Sequence, residues 1–264
     1  MANPNDQFPQ PNDDFPANNP YASPLAVPVG SRDQREGYVT RTDEVLNPWI
    51  SMWTQPRATV RQQLDTDPWR HVLLVAALAG VSGQSANSLA AFPPSIELRA
   101  AALLGLMVGG AIMTLIWIFI LGWVVGMTGR MIGGVANALE CRTALAWSSI
   151  PTIWLMPFYL CLGVYWVITG PDAIEMQAPF GQLGGPPQPT VVTPAWGTAL
   201  MVAAGFVGLW QIVITCKAVG EAHQFSAWRG LGALLLSGLA MMGLLIALAM
   251  VIGVLVAIIS MSLM

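Results

Sequence analysis

Charge is what this chain has least of. Only 9% of its 264 residues are Asp, Glu, Lys or Arg, against 55% hydrophobic, where a soluble domain carries about 25% charged residues. A formal net charge of −3, with much of the acid near the N-terminus, offers no basic footprint for nucleic acid. Cysteine is nearly as scarce. Cys141 falls in a short connection, and Cys161 and Cys216 lie within or at the end of apolar runs. An odd, scattered set without ligand spacing gives neither a disulfide framework nor a metal site, and small apolar fillers are the expected role. Two histidines far apart make no HExxH, and G-x-S-x-G, P-loop and paired intramembrane aspartates are missing too. The expectation is a protein that is not an enzyme and holds no cofactor or metal.

What is present is apolar length. Segments near 72–92, 101–127, 144–169, 195–216 and 231–260 each reach the roughly 20 residues that a membrane-spanning helix needs. The predicted fold is therefore all-α: a polytopic membrane bundle of five transmembrane helices behind a disordered N-terminal tail. The first segment is the weakest, because Ser82, Gln84, Ser85, Asn87 and Ser88 interrupt it; its amides and hydroxyls need neighbouring helices as partners.

Residues 1–47 are Pro-, Asn- and Asp-rich, with few branched apolar residues to build a core. They contain a near-repeat, Asn5-Asp6-Gln7-Phe8-Pro9 and Asn12-Asp13-Asp14-Phe15-Pro16. The repeat reads as an inert spacer or as a docking motif. With no basic n-region and no early apolar run, this is not a signal peptide.

The bases give the orientation. With the N-terminus inside, Arg32, Arg35, Arg41, Arg57, Arg61, Arg70, Arg130, Arg142, Lys217 and Arg229 all fall on one side, and Arg99 alone on the other. An N-inside, C-outside protein of the cell (inner) membrane follows, with 170–194 as an exterior loop.

Residues 48–70 form a third kind of segment. Trp49, Trp53, Val60 and Leu64 recur at helical spacing, Arg57 and Arg61 share another part of the surface, and Trp69 closes the run. Trp favours the headgroup region and Arg favours anionic lipid. An interfacial helix anchored by Trp49, Trp53, Arg57, Arg61 and Trp69 is the preferred reading over a plain linker. The membrane domain then covers 71–264.

Within the spans, Gly105/Gly109 and Gly122/Gly126 place small residues four apart, a spacing that lets helix backbones approach. The sequence leaves open whether the partner helix is in the same chain. Beyond the lipid bilayer itself, a homo- or hetero-oligomer with other membrane proteins is therefore allowed. Pro151 and Pro157 predict a kink in the third span. Polar groups gather on the basic side: Glu140 and Arg142 in one connection, Lys217, Glu221, His223 and Arg229 in the other. Lys217 and Glu221 stand one helical turn apart, and Glu140 has Arg229 or Lys217 as candidate partners. Such a cluster either binds a lipid headgroup or a partner protein, or simply ties the bundle together.

Three stretches carry a resemblance: Asn47-Pro48-Trp49-Ile50-Ser51-Met52-Trp53-Thr54-Gln55-Pro56-Arg57 running on to Arg61, then Thr143 to Pro151, then Lys217-Ala218-Val219-Gly220-Glu221-Ala222-His223-Gln224-Phe225 running on to Arg229. Together they resemble the Yip1 family of small five-span membrane proteins, and its bacterial members in particular, over about residues 47–260. The resemblance implies an N-inside, C-outside bundle, the orientation the bases give independently. Eukaryotic relatives act in vesicle trafficking with Rab-type GTPases; the acidic-aromatic-Gly-Pro motif of that branch is missing before the first span here. Two functions follow as expectations. One is a non-enzymatic scaffold or adaptor that organises partners or lipids at the cytoplasmic membrane face. The other is a small channel or transporter for an uncharged or weakly polar solute, for which Gln84, Asn87, Gln211, Thr215 and the span-three prolines speak.

Overall fold

The computed structural model describes residues 45–87, 95–170, 174–177, 188–191 and 193–262. The Phe-Pro repeat and the bases before Val45 lie outside the described residues. Two short helices come first, α1 (Pro48–Ser51) and α2 (Pro56–Thr66), each opened by a proline whose missing N–H is no loss in the first turn. Then follow α3 (Val72–Asn87), α4 (Ile96–Met131), α5 (Ala138–Ser148), α6 (Ile150–Trp154) and α7 (Met156–Thr169). A two-stranded antiparallel hairpin, β1 (Ile174–Gln177) with β2 (Gln188–Val191), sits in the predicted exterior loop. Helices α8 (Ala195–Ala222) and α9 (Ala227–Ser262) complete the chain.

Three helices, α4, α8 and α9, are long and apolar enough to cross a membrane. Helices α5 to α7 make a fourth span if the bent set is counted as one, with a 54° break before Met156. Pro151 and Pro157 stand in the first turns of α6 and α7, where the freed carbonyls upstream let the axis turn. The 16 residues of α3 rise about 24 Å, short of the roughly 30 Å hydrocarbon core. Length and composition thus give three or four candidate spans, and the predicted five rests on α3.

Small residues decide how the helices meet. Gly80 of α3 faces Gly110 of α4 so closely that a Cβ on Gly80 would lie 2.3 Å from the Gly110 carbonyl oxygen. Gly122 and Gly126 lie against Ala138 and Arg142 of α5. Gly105 and Gly109 have open space instead, so within this chain the close approach runs through Gly110. Helix α5 is nearly surrounded, with Cys141, Thr143, Ala144, Ala146, Trp147 and Ser148 all buried. The main core gathers around it, taking in Met52 and Val60 from the N-terminal segment, Val125 of α4 and Ile214 and Ala218 of α8. Polar side chains inside the bundle pair across helices, as polar groups do where water is excluded. Thr128 meets Ser237 at 2.7 Å, Ser82 donates to the Thr152 carbonyl at 2.6 Å, and Thr152 bonds Gln211.

The segment 48–70 is docked on the bundle. The Trp154 indole donates to the Trp49 carbonyl at 3.1 Å, and the Trp210 indole to that of Trp53 at 3.2 Å. Trp49 also packs edge-to-face on Trp147. Its helical period does hold an apolar face, but Ala58 and Val60 spend that face on the bundle.

Candidate functional site

Two helix ends converge where the bases are concentrated. Helix α4 closes with Gly134 N–H on the Gly129 carbonyl (2.8 Å) and Gly133 N–H on that of Arg130 (3.1 Å). Helix α8 closes identically, with Phe225 N–H on Gly220 (2.8 Å) and Gln224 N–H on Glu221 (3.1 Å). Both are Schellman turns, which need one left-handed residue. Gly133 takes it freely at φ +90°; Gln224 takes it at φ +57°, at a cost of about 1 kcal/mol for a residue with a Cβ.

The ring of His223, the residue that ends α8, enters the α4 turn. A Cβ on Gly129 would fall 2.1 Å from His223 Nε2, and one on Gly134 2.3 Å from Nδ1. The two glycines that close the turn therefore also make room for the imidazole. Its ring stacks on Phe225, with centroids 5.1 Å apart and planes within 5°. Nδ1 accepts the Ala136 N–H at 3.2 Å. A neutral ring that accepts at Nδ1 carries its proton on Nε2, which faces Cys141 Sγ at 3.4 Å. Burial pushes the His223 pKa below its ordinary 6.5 and Arg130 lowers it further, against a hydrogen bond to the Val125 backbone. The imidazole is a neutral, buried wedge between the two turns.

Two residues before His223, Glu221 is fully buried. Its Oε2 lies 3.4 Å from Arg57 Nη1, and Arg57 Nη2 donates to the Phe225 carbonyl at 3.0 Å. Arg57 belongs to α2, so one guanidinium ties the N-terminal segment to the α8–α9 turn. The Lys217–Glu221 pair expected from spacing does not form. Helical side chains lean toward the N-terminus, and Lys217 Nζ leans back over the Trp210 ring at 6.0 Å. Lys preceding Glu is also the poorer order for such a pair.

The remaining candidates separate. Glu140 closes a capping box with Asn137 at the start of α5 and bonds neither Arg229 nor Lys217. Arg142 stacks over Phe119 of α4, 4.5 Å from the ring centroid. Arg229 is exposed, and Arg61 pairs with Asp65 on the outer face of α2. Trp69 lies edge-to-face on Phe119.

Two partners escape the sequence reading. Arg57 reads as a lipid anchor and turns out to hold Glu221, 164 residues away. Cys141 reads as loop filler and turns out to be a buried α5 residue against His223. The glycines at 129 and 134 are the local signal that the end of α4 admits something bulky. Among the described residues, no three His, Cys, Asp or Glu side chains stand together as metal ligands. A buried thiol and a neutral imidazole in contact, with no open face, make a lock between helix ends.

Comparison with known protein families gives a match. The family model for the Yip1 domain matches residues 50–250. No curated protein and no solved structure matches.

Proposed function

The chain belongs to the Yip1 family, and from that premise we propose that it is a non-enzymatic scaffold or adaptor organising partners or lipids at the cytoplasmic face of the cell membrane. The observation that carries this reading is the docking of α2. Its inner face, Ala58 and Val60, is buried and its Arg57 holds Glu221, while Arg61 and Asp65 stay on the outside. Residues 1–47, the proposed cytoplasmic tail, lead directly into that docked segment. The basic end thus joins a tail to a rigid platform, as an adaptor requires. The excess of bases there supports an N-inside, C-outside orientation.

The test is crosslinking in native membranes followed by affinity capture, comparing the full chain with one starting at Glu44. Specific partners captured by either form support the reading, and partners lost with the tail assign the contact to the Phe-Pro repeat. Recovery of only the protein itself with lipid, from both forms, contradicts the adaptor part. The alternative of a small permeation protein draws on Gln211 and the α6–α7 break. Its Thr152–Gln211 and Ser82–Thr152 bonds tie helices to each other. A solute flux in reconstituted vesicles, abolished by Gln211→Leu, would favour it.

A further inference from the structure

A second group of bases lies apart from the His223 lock, at the corner between α2 and α3. Thr143 of α5 donates to the Pro68 carbonyl and pins that corner against the bundle. Trp69 follows, 44% exposed, with its ring edge-to-face on Phe119 at 6.0 Å. On the same Phe119 ring rests the Arg142 guanidinium. Gly122 makes this possible, since a Cβ there would lie 2.3 Å from Arg142 Cγ. Arg70, the next residue along the corner, is exposed, its Nε donating to His71 Nε2 at 3.3 Å.

Among the described residues, no carboxylate pairs with these two arginines. The ion pairs among the described residues are Arg57–Glu221 and Arg61–Asp65, and Glu140 is engaged in its capping box. Arg142 Nη2 reaches only the Phe119 carbonyl, at a long 3.5 Å, and its Nε is buried without a hydrogen-bond partner. The buried Nε is out of a ligand's reach, but the outer Nη groups of a guanidinium with no carboxylate partner at the rim of a membrane bundle suit an anion, and an aromatic ring that holds the plane flat leaves those donors at its edge. The apolar surroundings say which anion. Leu73 and Leu74 in the first turn of α3, and Ile116 and Ile120 on α4, are exposed. They lie on α3 and α4, the helices that flank this corner, and offer apolar surface to an acyl chain. Free phosphate has no use for that surface.

We infer that Arg142, framed by Trp69 and Phe119, binds the phosphate of an anionic membrane phospholipid at the basic end of the bundle, with Arg70 adding positive charge at the same corner. A guanidinium favours a lipid of net negative charge over a zwitterionic one, whose own ammonium offsets the phosphate charge. This inference rests on the proposed role at the membrane face and names its lipid.

The experiment is native mass spectrometry of the full chain in mixed micelles with equimolar phosphatidylglycerol and phosphatidylcholine. The wild type retains phosphatidylglycerol preferentially. Arg142→Gln lowers that retention about tenfold, as for loss of a charge-assisted contact, and the exposed Arg229→Gln by less than about twofold. Arg142→Lys, which keeps the charge, and Phe119→Leu, which removes only the ring, each lower it by about threefold or more. These two carry the test if Arg142→Gln does not fold. Equal losses in the Arg142 and Arg229 variants, or no loss in either, overturn the inference. Full displacement of the lipid by millimolar inorganic phosphate overturns its assignment to a lipid. Lost lipid selectivity in wild type with partners still captured defeats this inference alone; intact selectivity without partners defeats only the adaptor reading.

Discussion

The two ends of this bundle are built from different interactions. At the basic end, the turns of α4 and α8 interlock through His223, and α2 is clamped by Arg57 to a fully buried Glu221. Nearly all of the main core lies toward that end. Toward the other, the second half of α9 exposes Leu244, Leu248, Val251 and Leu255, and a core of just Leu162 and Trp166 holds α7 to Leu200 and Met201 of α8. The lone base there, Arg99, caps α7 by donating to the Val167 carbonyl at 2.9 Å. A bilayer solvates apolar surface as well as a protein core does, so helix association cannot rely on hydrophobic burial. Glycine contacts and polar pairs specify the arrangement: Gly80–Gly110 and Ser82–Thr152–Gln211 join the helices along their length, and the basic end adds the His223 socket and the Arg57–Glu221 pair.

Breaking the ion pair tests that contrast most severely. Arg57→Ala leaves the Glu221 carboxylate buried without its guanidinium, and a loss of about 3 kcal/mol is expected in denaturation of the detergent-solubilised protein. Glu221→Ala costs less, because Arg57, 21% exposed, can turn to water. Filling the glycine socket comes next. Gly129→Ala sets a methyl against a ring held on its other side by Phe225, costing about 2 kcal/mol. If the substitution is silent, the wedge is loose.

Neighbouring glycines sharpen the comparison within a single helix. Gly110→Ala would drive Cβ to 2.6 Å from the Gly80 carbonyl oxygen and costs about 1.5 kcal/mol, while Gly109→Ala enters open space and is neutral or slightly stabilising. Thermal midpoints of the two variants in the same micelle decide this. The smallest effect is with pH. The folded protein holds His223 neutral, with a pKa below 6.5. The unfolded chain therefore takes up the proton first as pH falls. Stability from this group is complete above about pH 6.5 and declines below it by at most ~1.4 kcal/mol per pH unit, levelling off once the lowered folded pKa is passed. The difference in midpoint between wild type and His223→Gln, followed from about pH 7.5 to 5.5, isolates this contribution from the carboxylates.

Apolar length made the membrane bundle legible, and the prolines at 151 and 157 marked the bend. Direction within the bundle was not legible. Helix α4 is apolar all round, since both its lipid face and its packed face are hydrophobic. Spacing alone therefore cannot separate Gly105 and Gly109, which meet nothing, from Gly122 and Gly126, which meet α5. The Trp and Arg pattern of 48–70 places that segment at the rim but cannot distinguish lipid from protein as what Arg57 and Val60 face. Local spacing proposes Lys217 for Glu221. The actual partner comes from the other end of the chain, and no helical period encodes it.

A double-mutant cycle on Arg57→Gln and Glu221→Gln addresses the interlocked end most directly. The account predicts a coupling of about 2 kcal/mol or more, with the double variant more stable than the sum of the single losses implies. A coupling indistinguishable from zero would mean that α2 is not held by this pair, and that the basic end is not the locked platform described above.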